Sequence, residues 1–421
     1  MKRSIRSTKV IAKGFQEGMG IERLMEAQME ILTAGKIGMD RLVSEIGSRM
    51  VESLLLMERE QIAGQDYQPV SASLVKGGSQ RGSVYFGQSK VGIQRPRVHG
   101  PNGEIPSHVY RTLRSPSDFS EELLTKTMHG LAGRRYQDTV TEAAGMFGYS
   151  RSSVSKRLVE VTAKHLQEFQ ERPLSQLDLV GIFLDTVHRG GQAYIVALGL
   201  ARQGDKHSLG FWEGSTENSE ICKELIDSLE RRKLKVHDEI IWVTDGGSGV
   251  IKCLRDRFGK RLIHVRCWIH KLRNIVRHLA KRYRQEAKRM FKIAIECAKY
   301  SDAKKEFSAL VKWLRKINES AANSMEEGLE ELLTLHRLQC PDLLRRNLST
   351  TNPIESMFSG VRHKEKNIKR YRSSKMSQRW LGTILLRSEQ GFRKVKGFKE
   401  IDGLVTKIRF FRDELTMAKA A

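Results

Sequence analysis

The sequence predicts an α/β core that is interrupted by an all-α insertion and preceded by helical regions. Three observations carry this. Between residues 177 and 267, apolar runs of strand length alternate with stretches of helical periodicity. From 271 to 345 the apolar residues recur only at helical spacing. Residues 15–63 show helical spacing again, in a 421-residue chain long enough for two or three domains.

Taken in order, Ile21, Leu24, Met25 and Leu32 define one helical face, with Gln28 its one polar interruption. Leu42, Ile46, Met50, Leu54 and Met57 define a second, and together they read as a helical bundle or a dimerisation arm. Residues 64–82, rich in Gly, Ser and Gln, read as a linker. SVYFGQSKVGIQRPRV (Ser83–Val98) reads as a β-hairpin, with Gly87 near its turn and Pro96 ending the pairing. Pro101-Asn102-Gly103 makes the next turn. Arg134–Val161 holds a helix-turn-helix candidate. Ala144 is the small residue where two helices would touch, Gly148 lies in the turn, and Val154 is the inner aliphatic of the second helix. Ser150 can cap that helix, which leaves Arg151, Ser152, Ser155 and Lys156 facing outward for DNA.

From Leu177 the texture changes. LDLVGIFLD reads as a buried strand ending in Asp185, followed by the strands AYIVALGL and HSLGFWEG with Gly204-Asp205 in the turn between them. Glu217–Arg232 is a predicted helix with Ile221, Leu225 and Leu229 facing inward. EIIWVTD is a fourth strand ending in Asp245, the flexible GGSG and a short helix to Phe258 follow, and RLIHVRC is a fifth strand. Three strands, a helix, a strand, a helix and a strand is the order of an RNase H-like core. In the insertion, Leu272, Ile275, Val276, Leu279 and Tyr283 form one face, and Phe307, Leu310, Val311, Leu314 and Ile317 another. The chain thus divides into a helical N-terminal region (1–63), a linker with a small hairpin (64–110), a helix-turn-helix region (111–172), the first part of the core (173–270), the helical insertion (271–345), the second part of the core (346–412) and a tail (413–421).

The net charge of +25 is unevenly placed. Lys260–Lys292 carries twelve Lys and Arg against one Glu, and Ser356–Arg412 sixteen against four acidic residues, so these two segments hold nearly the whole excess. Charge concentrated in this way points to a polyanionic partner, nucleic acid first. A membrane surface is the poorer match, because no long basic amphipathic helix has an aromatic face. No apolar run approaches the roughly 18 residues of a membrane span. The basic start, MKRSIRSTKVIAKGF, lacks the apolar core of a secretory signal. Five scattered cysteines make a disulfide framework improbable and fit a reducing cytoplasm.

The chemistry centres on three carboxylates. In the strand order above the first and fourth strands are neighbours, which brings Asp185 and Asp245 together at the strand ends where side chains leave the core. Glu355 starts a predicted helix in TTNPIESMFSGVRHKEKNIKRYR, where Asn352 can cap and Pro353 fits the first position. Glu355 also stands where a capping-box carboxylate would. Two Mg2+ ions, which Mn2+ could replace, would neutralise the three carboxylates and leave positions for phosphate oxygens and water. Lys364, Lys366, Lys369, Arg370 and Arg372 follow directly and are placed to hold a strand being cut. Arg273, Arg277 and Lys281 recur every four residues and could line the opposite wall, or simply a solvated helix face.

The sequence resembles the Mutator-type bacterial insertion-sequence transposases. The resemblance rests on LDTVHRGG with YIVALGL, LGFWEGSTENSE, VTDGGSGV, RCWIHKLRN, STTNPIESMFSGVRHKEKNIKRY, QRWLG and FRKVKG, and runs from about 175 to 410. It implies an RNase H-like domain with a helical insertion and a DDE triad falling on Asp185, Asp245 and Glu355. It also implies metal-dependent cleavage at element ends and joining of 3′-hydroxyls to target DNA. Double-stranded DNA is then the partner, as terminal inverted repeats and as target, with a homodimer and a nucleoid-associated cytoplasmic protein expected. One departure stands out. Many relatives carry a basic residue after a longer first strand, whereas Asp185 is followed by the Gly-rich TVHRGG. Cys267-Trp268-Ile269-His270 matches the family's Cys-x-x-His. A closed zinc site needs four ligands, so a buried Cys267 and a hydrogen-bonded His270 supporting the edge of the site is the stronger expectation. Trp268 reads as core or as a platform for an unpaired base, and His264 as a strand residue. A transposase-derived DNA-binding regulator and an RNase H-like nuclease are the competing readings. The intact acidic triad weighs against the first, and the helix-turn-helix candidate against the second.

Overall fold

A computed structural model of the chain describes residues 45–86, 89–114, 119–133, 135–147, 151–214 and 219–420. The expectations for Ile21, Leu24, Met25, Gln28, Leu32, Leu42, Gly87, Gly148 and Ser150 lie outside these residues. Contacts divide the chain into two compact units, Met1–Thr127 with Gln137–Leu158, and Met128–Tyr136 with Val159–Ala421.

In the first unit, residues 45–63 form a helix, followed by the short strands β1 (Gly64–Gln65) and β2 (Gln68–Pro69). An antiparallel sheet of β3 (Val75–Phe86), β4 (Ser89–Gly100) and β5 (Gly103–Ile105) comes next. Two expectations are corrected here. The linker of residues 64–82 contains β1, β2 and the first half of β3. Pro96 does not end the hairpin, because it pairs with Ser79 and the ladder resumes at Lys76 and Val75. A register shift between Lys76 and Ser79 lets the sheet pass a residue that donates no hydrogen bond.

The helix over residues 45–63 also turns a different face inward than its periodicity predicts. Val51 and Leu55 are buried against Val84, Val91 and Ile93 of the hairpin. Ile46, Met50, Leu54 and Met57 are exposed. Two carboxylates on the same helix tie it to the rest of the unit: Glu52 accepts from the Gln94 amide at 2.6 Å, and Glu58 accepts from the His108 amide at 2.7 Å. Of the helix-turn-helix candidate, both helices are present, Tyr136–Phe147 and Arg151–Glu171, with Ala144 and Val154 buried.

The second unit is built on a five-stranded mixed sheet. Its strands are β6 (Leu179–Arg189), β7 (Gln192–Ala201), β8 (Lys206–Gly214), β9 (Ile241–Thr244) and β10 (Ile263–Arg266). The order across the sheet is β10-β9-β6-β7-β8, with β6, β9 and β10 parallel and β7 antiparallel to both neighbours. All five strands were expected from the apolar runs, as were the helices Ser219–Arg231 and Ser248–Phe258 between them. Both helices contribute to the core under the sheet, through Cys222, Leu225, Ile226, Leu229, Val250, Cys253 and Leu254.

One boundary differs in a way that matters. Asp185 does not end its strand; β6 runs on to Arg189 and turns at Gly190 and Gly191, both at positive φ. The Gly-rich TVHRGG is therefore strand and turn, held by pairing with β7 as far as Arg189 opposite Gln192. After β10 come six helices, Trp268–Arg277, Lys281–Glu296, Tyr300–Arg315, Glu319–Glu326, Leu329–Arg337 and Asp342–Leu348. They enclose a core of their own around Phe291, Phe307, Leu310, Leu314 and Leu332. The chain then returns to the sheet with the helices Asn352–Glu365 and Ser374–Glu389, and ends with Ile401–Ala420.

Candidate active site

Strand register sets the first two carboxylates. Leu184 pairs with Thr244 across the parallel strands β6 and β9, and the residues that follow are Asp185 and Asp245. Neighbouring strands lie about 4.8 Å apart, so the two aspartates stand side by side. Each is oriented by a local backbone amide: Thr186 N–H donates to Asp185 Oδ1 at 2.8 Å, and Gly247 N–H to Asp245 Oδ1 at 3.0 Å. The turn after Asp245 depends on Gly246. It stands at φ +101°, and a side chain there would collide with the Arg266 guanidinium. Buried Arg266 in turn reaches the Gly246 carbonyl and the Glu327 carboxylate, which ties this turn to the helical insertion.

Glu355 comes from the first turn of the helix Asn352–Glu365, which packs on β6 and β7. The expected cap is displaced by one residue: the helix starts at Asn352, with Thr351 as its N-cap. Glu355 is therefore one position beyond the place a capping-box carboxylate occupies. Its Oε1 accepts from the Thr351 hydroxyl at 2.9 Å and lies 3.8 Å from His270 Nε2. Pro353 sits within the first two positions, where no intrahelical N–H is lost.

The electrostatics join the three carboxylates. Burial pushes the Asp185 carboxyl up to about 7, the Thr186 amide opposes the rise, and the charges of Asp245 and Glu355 add to it. His270 is raised above its ordinary value first by its hydrogen bond to Cys267, with Asp245 and Asp185 contributing. The described residues include no group of three His, Cys, Asp or Glu side chains already gathered at metal-ligating spacing.

The remaining expected residues fall into three sets. Cys267 is fully buried and N-caps the helix Trp268–Arg277. Trp268 is core: its indole donates to the Leu332 carbonyl at 3.1 Å and stacks on His336. His264 is a buried strand residue hydrogen-bonded to Thr244 at 2.9 Å. Arg273, Arg277 and Lys281 are exposed along one helix and the start of the next, as are Lys366, Lys369, Arg370 and Arg372. Lys364 differs, being half-buried and donating to Ser388 at 3.1 Å. In the first unit Arg151, Ser152 and Lys156 are exposed and Ser155 is partly so. Two residues escaped the sequence reading. Thr351 touches Glu355 directly, and the repeated Thr of TTN beside a candidate carboxylate was the available signal. Arg189 forms a buried ion pair with Glu365, and a lone Arg after a strand carries no such signal.

Two aspartates on adjacent parallel strands of a mixed sheet, in a strongly basic chain, stand beside relatives that are transposases, and these make the class a DNA-processing enzyme. More narrowly, the chain belongs to the Mutator family of transposases, whose family model matches residues 21–394. It is similar to the transposase for insertion sequence element IS1201 of Lactobacillus helveticus, 25% identical over 74% of this chain and 85% of the relative. The transposase for IS256 in transposon Tn4001 of Staphylococcus aureus is 24% identical over 67% of this chain and 73% of the relative. The transposase for ISRM3 of Rhizobium meliloti is 23% identical over 82% of this chain and 86% of the relative. No helix among the described residues is long and apolar enough to cross a membrane.

Proposed function

We propose that the chain is a DDE transposase with an RNase H-like core, which binds the terminal inverted repeats of its element and catalyses Mg2+-dependent strand cleavage and strand transfer. The observation that carries the reading is the register of β6 and β9, which sets Asp185 and Asp245 side by side, with Glu355 near enough for its charge to help raise Asp185. The strand order, with β7 alone running against the others, is the arrangement expected of an RNase H-like core.

The donor set fits a hard cation. It is all carboxylate oxygen, and positive charge would relieve the raised Asp185. Bound Mg2+ would supply Lewis acidity and a more acidic water or 3′-hydroxyl. The protein's own part is positioning: Asp185 and Asp245 each have one oxygen fixed by a backbone amide, which leaves the other for a ligand. The exposed cations after Glu355 and at the start of the insertion would hold phosphates without reading sequence. Arg151, Ser152, Ser155 and Lys156 would read the element end through the helix-turn-helix. A homodimer follows from the need to bring two ends together, and nucleoid association from the affinity for DNA.

The test uses purified protein, labelled element-end DNA, and Mg2+ or EDTA. Cleavage and joining should occur only with the metal. Asp185→Asn, Asp245→Asn and Glu355→Gln should each abolish both while leaving DNA affinity and melting temperature near wild type. Wild-type cleavage by Glu355→Gln would remove that residue from the chemistry.

A further inference from the structure

Thr351 is completely buried between the starts of two helices, Trp268–Arg277 and Asn352–Glu365. As an N-cap, its hydroxyl would ordinarily accept from a backbone amide of the first turn. It makes no such bond. Its oxygen instead lies 2.9 Å from Glu355 Oε1, 3.3 Å from His270 Nδ1 and 3.5 Å from Cys267 Sγ, and its amide donates to the same sulfur at 3.4 Å. A hydroxyl has one proton and two lone pairs. The contact to the carboxylate is the shortest and is charge-assisted, so the proton belongs there. His270 Nδ1 and Cys267 Sγ then close on the hydroxyl oxygen from its other sides.

We propose that Thr351 is the positioning residue of Glu355: Cys267 and His270 fix its hydroxyl, and the hydroxyl fixes the carboxylate. The inference rests on Glu355 being the third carboxylate of the site. It gives the Cys-x-x-His element a role that needs no metal of its own. A glutamate side chain has three rotatable bonds, and Glu355 is partly exposed, so without this contact its oxygen would be free to swing.

The test compares Thr351→Val, which keeps the shape and removes the hydroxyl, with Thr351→Ser, which keeps the hydroxyl. Mn2+ binding to the metal-free protein is followed by electron paramagnetic resonance, alongside cleavage of labelled element-end DNA and DNA affinity. Thr351→Val should lose roughly 10- to 100-fold in Mn2+ affinity and in cleavage, as lost support of a metal ligand typically does. Thr351→Ser should restore both, and DNA affinity should not change in either. Should Thr351→Val not fold, Thr351→Ser against Thr351→Ala must show the same gap. Undiminished Mn2+ affinity in Thr351→Val, with Glu355→Gln defective, overturns the positioning role and leaves Glu355 in the site. Undiminished Mn2+ binding and cleavage in Glu355→Gln instead overturns the reading of Glu355, and this inference with it.

Discussion

Arg189 lies four residues beyond Asp185, where a basic group for phosphate would be sought. The structure removes it from that role. Its guanidinium is buried against the Glu365 carboxylate, donates to the Tyr371 hydroxyl at 2.9 Å, and lies over the Tyr371 ring. The pair joins the far end of the Asp185 strand to the far end of the Glu355 helix. Removing one partner leaves an uncompensated buried charge, so Arg189→Met or Glu365→Leu alone should cost about 3–5 kcal/mol. The double variant should recover most of that, since well-packed apolar replacements of a buried pair are often neutral. Urea denaturation of the four proteins checks this. Additive losses would show that the two side chains do not act as a pair.

At the scale of elements, the basic segments differ in what they offer a duplex. Lys366, Lys369 and Arg370 are exposed after the Glu355 helix, whereas the Lys364 ammonium is turned to Ser388. Phosphate contacts release counterions, so log affinity falls with log salt by roughly 0.9 per phosphate neutralised. Neutralising Lys366, Lys369 and Arg370 together should flatten that slope by roughly two to three. Lys364→Gln should leave it unchanged, and a drop equal to that of its neighbours would place Lys364 on the DNA. Reversing charge at Arg151 and Lys156 acts differently. It should narrow the preference for element-end over random DNA, and because surface substitutions rarely cost stability the melting temperature should hold. An unaltered preference would take the helix-turn-helix out of recognition.

For the whole molecule, two buried imidazoles set the acid limit. Burial pushes both His264 and His336 down to about 4. Each uses Nε2 for a hydrogen bond and has Nδ1 buried without a partner, so a second proton would sit unpaired. The folded state thus binds these protons more weakly than the unfolded chain, whose histidines titrate near 6.5. The stability they confer is full above about pH 6.5 and is lost as pH falls toward 4, by a few kcal/mol in all. The melting temperature should therefore drop across that window. In a His264→Asn, His336→Asn variant the drop should be much smaller, whatever its stability at neutral pH. An equally steep drop would assign the acid sensitivity to other groups.

The sequence by itself determined the strands of the second unit and their succession, the positions of Asp185, Asp245 and Glu355, and the helical insertion. Each follows from spacing along the chain, which fixes which residues share a strand or a helix face. What it left undetermined depended on partners distant in sequence. The helix over residues 45–63 has more than one apolar stripe, and packing on the hairpin residues Val84, Val91 and Ile93 buries Val51 and Leu55, while Glu52 and Glu58 accept from amides some forty to fifty positions away. Asp185 read as a strand end because the polar residues after it break the apolar run, yet pairing with β7 carries the strand to Arg189. Glu355 fits a cap or a catalytic position equally well on local grounds. The start of its helix at Asn352 moves Glu355 off the capping-box position, and Thr351 brings Cys267 and His270 beside it, because only the tertiary fold brings two helix starts that are 84 residues apart to one point.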